Sequence, residues 1–424
     1  MEAVTTDTNA DADSLPPEGG ASLLTKVRIH GFRSIREAAF RPGPVSALVG
    51  EPGTGKSNLL AALRSALEPE AAPVHGDVTR DGDDVIQIDI ETAAGSSVSL
   101  ESTPPTASLS RVGDLPSTLY LPASLRAGRV IAPNPDPSAQ IREAGGLIAR
   151  AVRPANAEEV APFHPDGSTA AAHGLVAGIE AWHRAGLAGV VLLIEEPELF
   201  LPPQTQRYLY RLLRSLAADG NQVFYSTHSP SFLNVARLDE LVLIHHLPHT
   251  GTRLHQPEPL PTDDEFRAHS EFDAARSELF LARAAVLVEG LTEQLSLPFV
   301  FEALGYDPDR ERISVIECGG KANIPLFARI SKAVGVPFVA VHDRDATATK
   351  KPNQAEQQLN RLIAELAGPD NQIELAPDFE GVAGLSGRRS KPGRAWRSFA
   401  TLPAADVPPE LARVVERSVA LARR

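Results

Sequence analysis

Val45 to Ser57, reading Val-Ser-Ala-Leu-Val-Gly-Glu-Pro-Gly-Thr-Gly-Lys-Ser, constrain this chain more than any other stretch. An apolar strand runs into a glycine-rich loop, and the loop runs into the amphipathic segment Asn58 to Arg64. That is G-x-x-x-x-G-K-[ST] in the strand–loop–helix setting that gives the motif its meaning. Gly50, Gly53 and Gly55 let the backbone close around phosphate oxygens with its N–H groups turned inward. A helix opening near Lys56 adds unsatisfied N–H donors and a partial positive charge. Lys56 is placed to reach the β- and γ-phosphates, and the Ser57 hydroxyl to sit on Mg²⁺. Thr54 and Asn58 complete the expected nucleotide site.

A chain of 424 residues exceeds one ordinary core and points to two or three domains. Met1 to Ser22 are acidic, contain Pro and Gly, and lack the basic and apolar regions of a signal peptide, so they read as a disordered tail. The single cysteine, Cys318, excludes an intramolecular disulfide and suits a reducing cytoplasm. No apolar run is long enough to span a bilayer, so no membrane association is expected. A net charge of −13 argues against coating of nucleic acid by bulk positive charge, without excluding nucleic acid as a partner. Basic residues are instead concentrated locally, at Arg388, Arg389, Lys391, Arg394 and Arg397 around Trp396.

The alternating run Leu24 to Arg33 predicts a strand that turns at Gly31. Val85 to Glu91 and Ser97 to Glu101 alternate with period two, as antiparallel strands with one wet face do. Thr103 to Pro116 is Pro-rich and reads as loop, Leu119 to Leu121 as a short strand, and Gln140 to Val152 as a short helix. Val190 to Glu198 is a continuous apolar strand ending in Glu195-Glu196-Pro197-Glu198. Beside a P-loop, Glu195 would hold Mg²⁺ directly or through water, and Glu196 would orient or deprotonate the attacking water. A helix over Leu201 to Leu216 is followed by a further apolar strand ending in Ser226-Thr227-His228-Ser229-Pro230. A strand's carboxyl end is where open α/β sheets bind ligands, so His228 is a candidate contact for the γ-phosphate or the water.

His245 to Thr262 reads as a linker and Asp263 to Arg283 as a charged helix. A second α/β unit then begins. The strand Ala284 to Val288 ends at Glu289, Gly290 turns, and Thr292 can cap a helix with Glu293 in its first turn. Ile313 to Glu317 is the next strand, followed by Gly319-Gly320 and a helix through Ala333. Val336 to His342 runs into Asp343-Arg344-Asp345, whose two aspartates at i and i+2 share a side if extended. The order strand-helix-strand-helix-strand makes this sheet largely parallel, with right-handed crossovers, and brings Glu289, Glu293, Asp343 and Asp345 to one edge. Carboxylates so placed repel unless cations neutralise them, and hard oxygen ligands favour Mg²⁺ or Mn²⁺.

The order P-loop, E-E-P-E, S-T-H-S-P resembles the ABC-type ATPase head shared by SMC-like and RecF-like proteins, as does the opening Val27 to Ile35. The resemblance implies ATP as the nucleotide and hydrolysis between two heads, hence a homo-oligomer. The best candidate for the signature loop is Asp166-Gly167-Ser168-Thr169, with Ser168 facing the nucleotide; it lacks the usual second glycine. No heptad run interrupts the head, which excludes an SMC-type coiled coil. The glutamate after the first strand of the second unit and the later D-x-D resemble the Toprim domain. Ser277 to Gly290, and an ABC-type head upstream of Toprim, resemble the OLD (overcoming lysogenisation defect) nucleases.

That family implies a further acidic residue and a lysine completing a two-metal site. The matching positions are Glu380 in Ala376-Pro377-Asp378-Phe379-Glu380, with Asp378 as a competitor, and Lys391. The expectation is an α/β chain: a tail at 1–22, an ABC-type P-loop ATPase domain with an antiparallel β subdomain at 23–247, a linker and helix at 248–280, and a Toprim nuclease domain with a mostly parallel sheet at 281–424. Two divalent ions would cut DNA phosphodiesters, and a helicase partner and a role in phage defence are implied by the resemblance alone. The alternative is a RecF-like ATP-switched DNA-binding protein without nuclease activity. A topoisomerase would need a nucleophilic tyrosine, and the second domain holds only Tyr306.

Overall fold

A computed structural model describes residues 23–68, 85–103, 106–123, 145–146, 148, 168–233, 237–247, 250–258, 260–344, 353–385 and 391–423. Its strands are β1 (Leu24–Phe32), β2 (Ile35–Phe40), β3 (Val45–Val49), β4 (Ile86–Thr92), β5 (Ser97–Thr103), β6 (Thr106–Val112), β7 (Ser117–Leu121), β8 (Val190–Glu195), β9 (Gln222–Thr227), β10 (Leu241–Leu247) and β11 (Gly251–His255). The second unit adds β12 (Ala284–Val288), β13 (Ile313–Glu317), β14 (Phe338–Asp343) and β15 (Gln372–Leu375). Among the described residues these form an antiparallel sheet β2-β1-β4-β5-β6, a mixed sheet β11-β10-β3-β9-β8-β7, and a parallel sheet β13-β12-β14-β15.

Strand alternation explains the layering. In β3, Val45, Ala47 and Val49 enter one core, while Leu48 enters the core shared with the P-loop helix and the antiparallel sheet. In β8, Val190, Leu192 and Ile194 divide from Val191 and Leu193 in the same way. Both faces of the mixed sheet are therefore covered, which is why these strands read as unbroken apolar runs. β12 repeats the pattern: Ala285 and Leu287 face the core of the mixed sheet, and Ala284, Val286 and Val288 face a third core beneath the helix Pro409–Ala422. One apolar cluster thus runs without a break from β3 through Phe232, Leu279 and Phe280 to Phe327 and Leu287. The helix Ile324–Ala333 carries much of it, with Phe272 stacked on Phe280 and Phe327.

Several local expectations are corrected. β1 continues through Gly31, which has φ 69°, and the turn falls at Arg33 and Ser34. Gly31 keeps its place because a Cβ there would lie 2.3 Å from the Val85 carbonyl oxygen. The Pro-rich stretch after Thr103 holds β6, an exposed edge strand paired along its length with β5. The stretch read as a linker from His245 holds the end of β10 and all of β11, which pair antiparallel. Asp263 to Arg283 divides into the helix Thr262–Glu271 and a 3₁₀ turn over Arg276–Leu281. The short helix expected over Gln140 to Val152 lies almost entirely outside the described residues. Among those residues no helix is long and apolar enough to cross a membrane.

Candidate functional site

Two clusters of chemistry-bearing side chains form at carboxyl ends of parallel strands, where helix N-termini and loops leave room for ligands. The first surrounds the P-loop. Gly55 has φ 110° and opens the helix Lys56–Leu67; a Cβ on it would meet the Thr252 hydroxyl at 2.3 Å. Gly53, at φ 81°, has nothing within 4 Å of where a Cβ would stand, so open space remains over the loop. Lys56 is buried, and its Nζ donates to the carbonyls of Gly50 at 2.7 Å and Glu51 at 2.8 Å. Burial lowers its pKa, and the charges of Glu196 and Glu198 oppose that shift. Ser57 is exposed at the helix start. Asn58 donates to Ser34 Oγ at 2.6 Å and accepts from Arg33. Thr54 Oγ1 donates to the Glu51 carbonyl at 2.8 Å, and Thr252 Oγ1 donates to the Thr54 carbonyl at 2.7 Å. The β10–β11 hairpin therefore buttresses the loop, a contact that sequence reading missed.

At the end of β8, Glu196 adopts φ 41°, and its Oε1 stands 3.2 Å from Nδ1 of His228. The strand-end glutamate and the histidine of the next strand are thus brought together, as their order in the chain implied. Glu195 Oε2 accepts from the Ala123 amide at 3.2 Å, and the residue lies beside Tyr120. Burial pushes the Tyr120 phenol up, and the neighbouring Glu195 charge adds to that rise. Sequence reading gives Glu198 no role, yet it is the most deeply buried of the three glutamates. Its Oε1 accepts from Thr227 Oγ1 at 2.5 Å and from the His228 amide at 3.4 Å. Burial raises its pKa, against these hydrogen bonds. Ser168 opens the helix Ser168–Ala185, while Asp166 and Gly167 lie outside the described residues.

The second cluster lies at the carboxyl edge of β12, β14 and β15. Glu289 Oε1 accepts from the Asp343 amide at 2.7 Å, and Asp343 Oδ1 accepts from the Phe379 amide at 2.8 Å. Glu293, buried in the first turn of the helix Leu291–Ala303, is pushed up to about 7 by burial, with the charges of Glu289 and Glu380 adding to the rise. Asp343 is pushed up to about 8 by burial and by Glu289, Glu293 and Asp378. The charges of Glu289 and Glu380 thus stand close enough to oppose ionisation of Glu293, and those of Glu289 and Glu293 to oppose ionisation of Asp343. Asp378 caps the short helix Phe379–Val382 by accepting from the Gly381 amide at 2.7 Å. Asp345 lies outside the described residues, and Lys391 opens the helix Lys391–Phe399. Among the described residues, no group of three His, Cys, Asp or Glu is arranged as a ready metal site. The donor set of carboxylate oxygens, with mutual repulsion for a cation to relieve, nonetheless suits a hard divalent ion.

Lys321 is the residue of this edge that sequence reading missed. Buried in the turn after Gly319-Gly320, it donates through Nζ to the Asp343 carbonyl. Its signal is its place in the chain: a basic residue after a strand-end glycine pair. Cys318 is buried and its thiol is pushed well up by burial, which fits a packing role.

Residues 280–345 match the family model described as overcoming lysogenization defect protein-like, TOPRIM domain, and residues 183–233 match that of an AAA ATPase domain. The chain is 35% identical over 263 residues to the OLD nuclease of Thermus scotoductus, an alignment covering 57% of this chain and 50% of that protein. It is 26% identical over 200 residues to the Old nuclease of Escherichia phage P2, covering 45% of this chain and 34% of the relative. The matched stretches thus span half or less of each curated relative. Among solved structures, the SMC head domain from Thermotoga maritima aligns with TM-score 0.37 and 15% identity, over 56% of this chain and 100% of that one. The C-terminal region of the Burkholderia pseudomallei OLD protein aligns with TM-score 0.29 and 17% identity, over 33% of this chain and 98% of that one.

Proposed function

We propose that this chain, which joins an ABC-type ATPase head to an OLD-like Toprim domain, is an ATP-binding, divalent-metal-dependent DNA endonuclease. The observation that carries the reading is the gathering of Glu289, Glu293, Asp343 and Glu380 at one sheet edge. There Glu293 and Asp343 are held up to about 7 and about 8 by burial and by their acidic neighbours. A protein gains nothing in stability from such a group, and perturbed carboxylates in a cleft mark functional sites.

Glu289, Asp343 and Asp345 are proposed to hold one cation, and Glu293 and Glu380 the other. Glu380 is favoured over Asp378, whose Oδ1 already caps a helix. Divalent ions held there would supply Lewis-acid activation of water and charge stabilisation of the leaving oxygen. The chain's own groups do the rest. The Asp343 amide fixes the Glu289 carboxylate, and the Phe379 amide fixes Asp343, so neither needs to reorganise when substrate arrives. Lys391 is proposed to offset charge on the reacting phosphate. Arg394, Arg397 and exposed Trp396 on the same helix offer phosphate contacts and a stacking surface for DNA.

In the head, Gly50, Gly53, Thr54, Gly55, Lys56, Ser57 and Asn58 are proposed to bind ATP, with Ser57 and Glu195 toward its Mg²⁺. Glu196 would take the proton of the attacking water, and His228 beside it would orient that water. Ser168 is the proposed signature contact from a second copy, which makes the working unit an oligomer. Action in phage defence, in the cytoplasm, and alongside a helicase belongs to this proposal. Purified protein is expected to nick supercoiled plasmid with Mg²⁺ or Mn²⁺. Intact plasmid, together with ATP-dependent DNA binding, would establish the RecF-like reading instead.

A further inference from the structure

The head and the second domain meet at a charged contact that no part of the proposed chemistry uses. Glu51 is the second residue of the P-loop. Its carboxylate, only 21% exposed, stands 3.4 Å from Nε of Arg283 and pairs with Nη1 of Arg312. Both arginines come from the second domain, and each immediately precedes a strand: Arg283 leads into β12 and Arg312 into β13. The Arg283 amide donates to the Arg312 carbonyl at 2.9 Å, so the two guanidiniums are set side by side by the sheet itself. β12 and β13 then run in parallel register from Ala284↔Ile313 to Val288↔Glu317. Glu289 follows directly at the far end. The amino edge of this sheet thus grips the P-loop, and its carboxyl edge carries the acidic cluster, about 16 Å away for five extended residues.

The same Glu51 takes part in the loop's internal bonding. Its backbone carbonyl accepts from Lys56 Nζ, from Thr54 Oγ1 and from the Thr54 amide. Phosphates that recruit Lys56 must draw it from the carbonyls of Gly50 and Glu51, and so disturb the peptide whose side chain the arginines hold. The surroundings are stiff. The apolar cluster running from β3 to β12 packs the two domains together, so a shift at Glu51 has few places to be absorbed.

We propose that Arg283 and Arg312 are positioning residues for the nucleotide loop, and that through Glu51 they couple the P-loop to strands β12 and β13 of the Toprim sheet. The inference rests on the nucleotide-binding half of the proposed function and not on cleavage. Neither arginine touches nucleotide in this account; each acts through Glu51.

The test is a double-substitution cycle, read by binding. Affinity for a fluorescent, non-hydrolysable ATP analogue is measured for wild type, Arg312→Gln, Glu51→Gln and the combination, with Arg283→Gln as a second variant of the same contact. Amide exchange of residues 284–288 and 313–317 is followed with and without the analogue. Arg312→Gln is expected to change affinity at least about twofold more in the wild-type background than in the Glu51→Gln background, the lower range for residues in contact. The analogue is expected to alter exchange at these strands in wild type and to lose that effect in Arg312→Gln and in Arg283→Gln. Equal effects in both backgrounds, or an intact exchange response in the variants, would overturn the coupling. Wild type that binds no analogue would instead overturn the nucleotide reading on which it stands.

Discussion

Glu240 offers a quantitative check on the head's interior. It sits under the helix Pro203–Ala218, accepts from the Tyr210 hydroxyl at 2.6 Å and pairs with Arg214 Nε at 3.1 Å. Despite both partners, burial wins and pushes its pKa up to about 7. Its ordinary value is 4.5. Below pH 4.5 the group is protonated in both folded and unfolded chains and has no effect on the balance. Between there and about 7 the unfolded chain loses its proton first, so stability falls as pH rises. Above about 7 the full difference is in place, about 3 kcal/mol. Glu240→Gln keeps an acceptor for Tyr210 and cannot ionise. Relative to wild type, the variant should therefore gain about 2–3 kcal/mol between about pH 5 and about pH 8. Urea unfolding at the two pH values measures this directly. A difference between wild type and variant that is the same at both, or that moves the opposite way, would refute the reasoning.

Two further predictions concern the candidate sites. Glu198→Ala leaves Thr227 Oγ1 without its buried acceptor and should lower stability by about 1–3 kcal/mol, read by denaturant unfolding; Glu198→Gln, which keeps that acceptor, should stay close to wild type. At the acidic edge, Mn²⁺ affinity should rise at least about tenfold from about pH 6 to about pH 8.5, measured by calorimetry, because Glu293 and Asp343 must give up protons near 7 and 8 before they can bind a cation. Affinity that is flat over that window would remove these two residues from the ligand set.

Sequence carried the parts of this architecture whose physics is local. The P-loop helix, the buried strands β8, β9, β12 and β14, and the parallel order of the last sheet follow from apolar runs punctuated by glycine and strand-end polar residues. The pairing of Glu196 with His228, and of Glu289 with Asp343, follows from neighbouring parallel strands that end at the same edge. What escaped is what apolar periodicity does not announce. β6 is polar, exposed and Pro-flanked, so its pattern resembles loop, and only its ladder with β5 makes it a strand. β11 is short, and its value lies in Thr252, which reaches back across the chain to Thr54 and Ser34. Glu198 looks like a helix-capping acid, because nothing in its neighbours announces burial beneath Thr227. Glu51 and Arg312 carry no signal in the sequence and meet only because two domains share one core.

The central claim is that the acidic edge of the second domain cuts DNA while the head governs it. Plasmid nicking in Mg²⁺ or Mn²⁺, with and without ATP, should be compared for wild type, Glu289→Ala and Lys56→Ala. Glu289→Ala is expected to lower nicking at least about 100-fold, as loss of a group acting on the reacting centre does, while Lys56→Ala still nicks without ATP and loses its response to ATP. Nicking that survives in Glu289→Ala would contradict the claim.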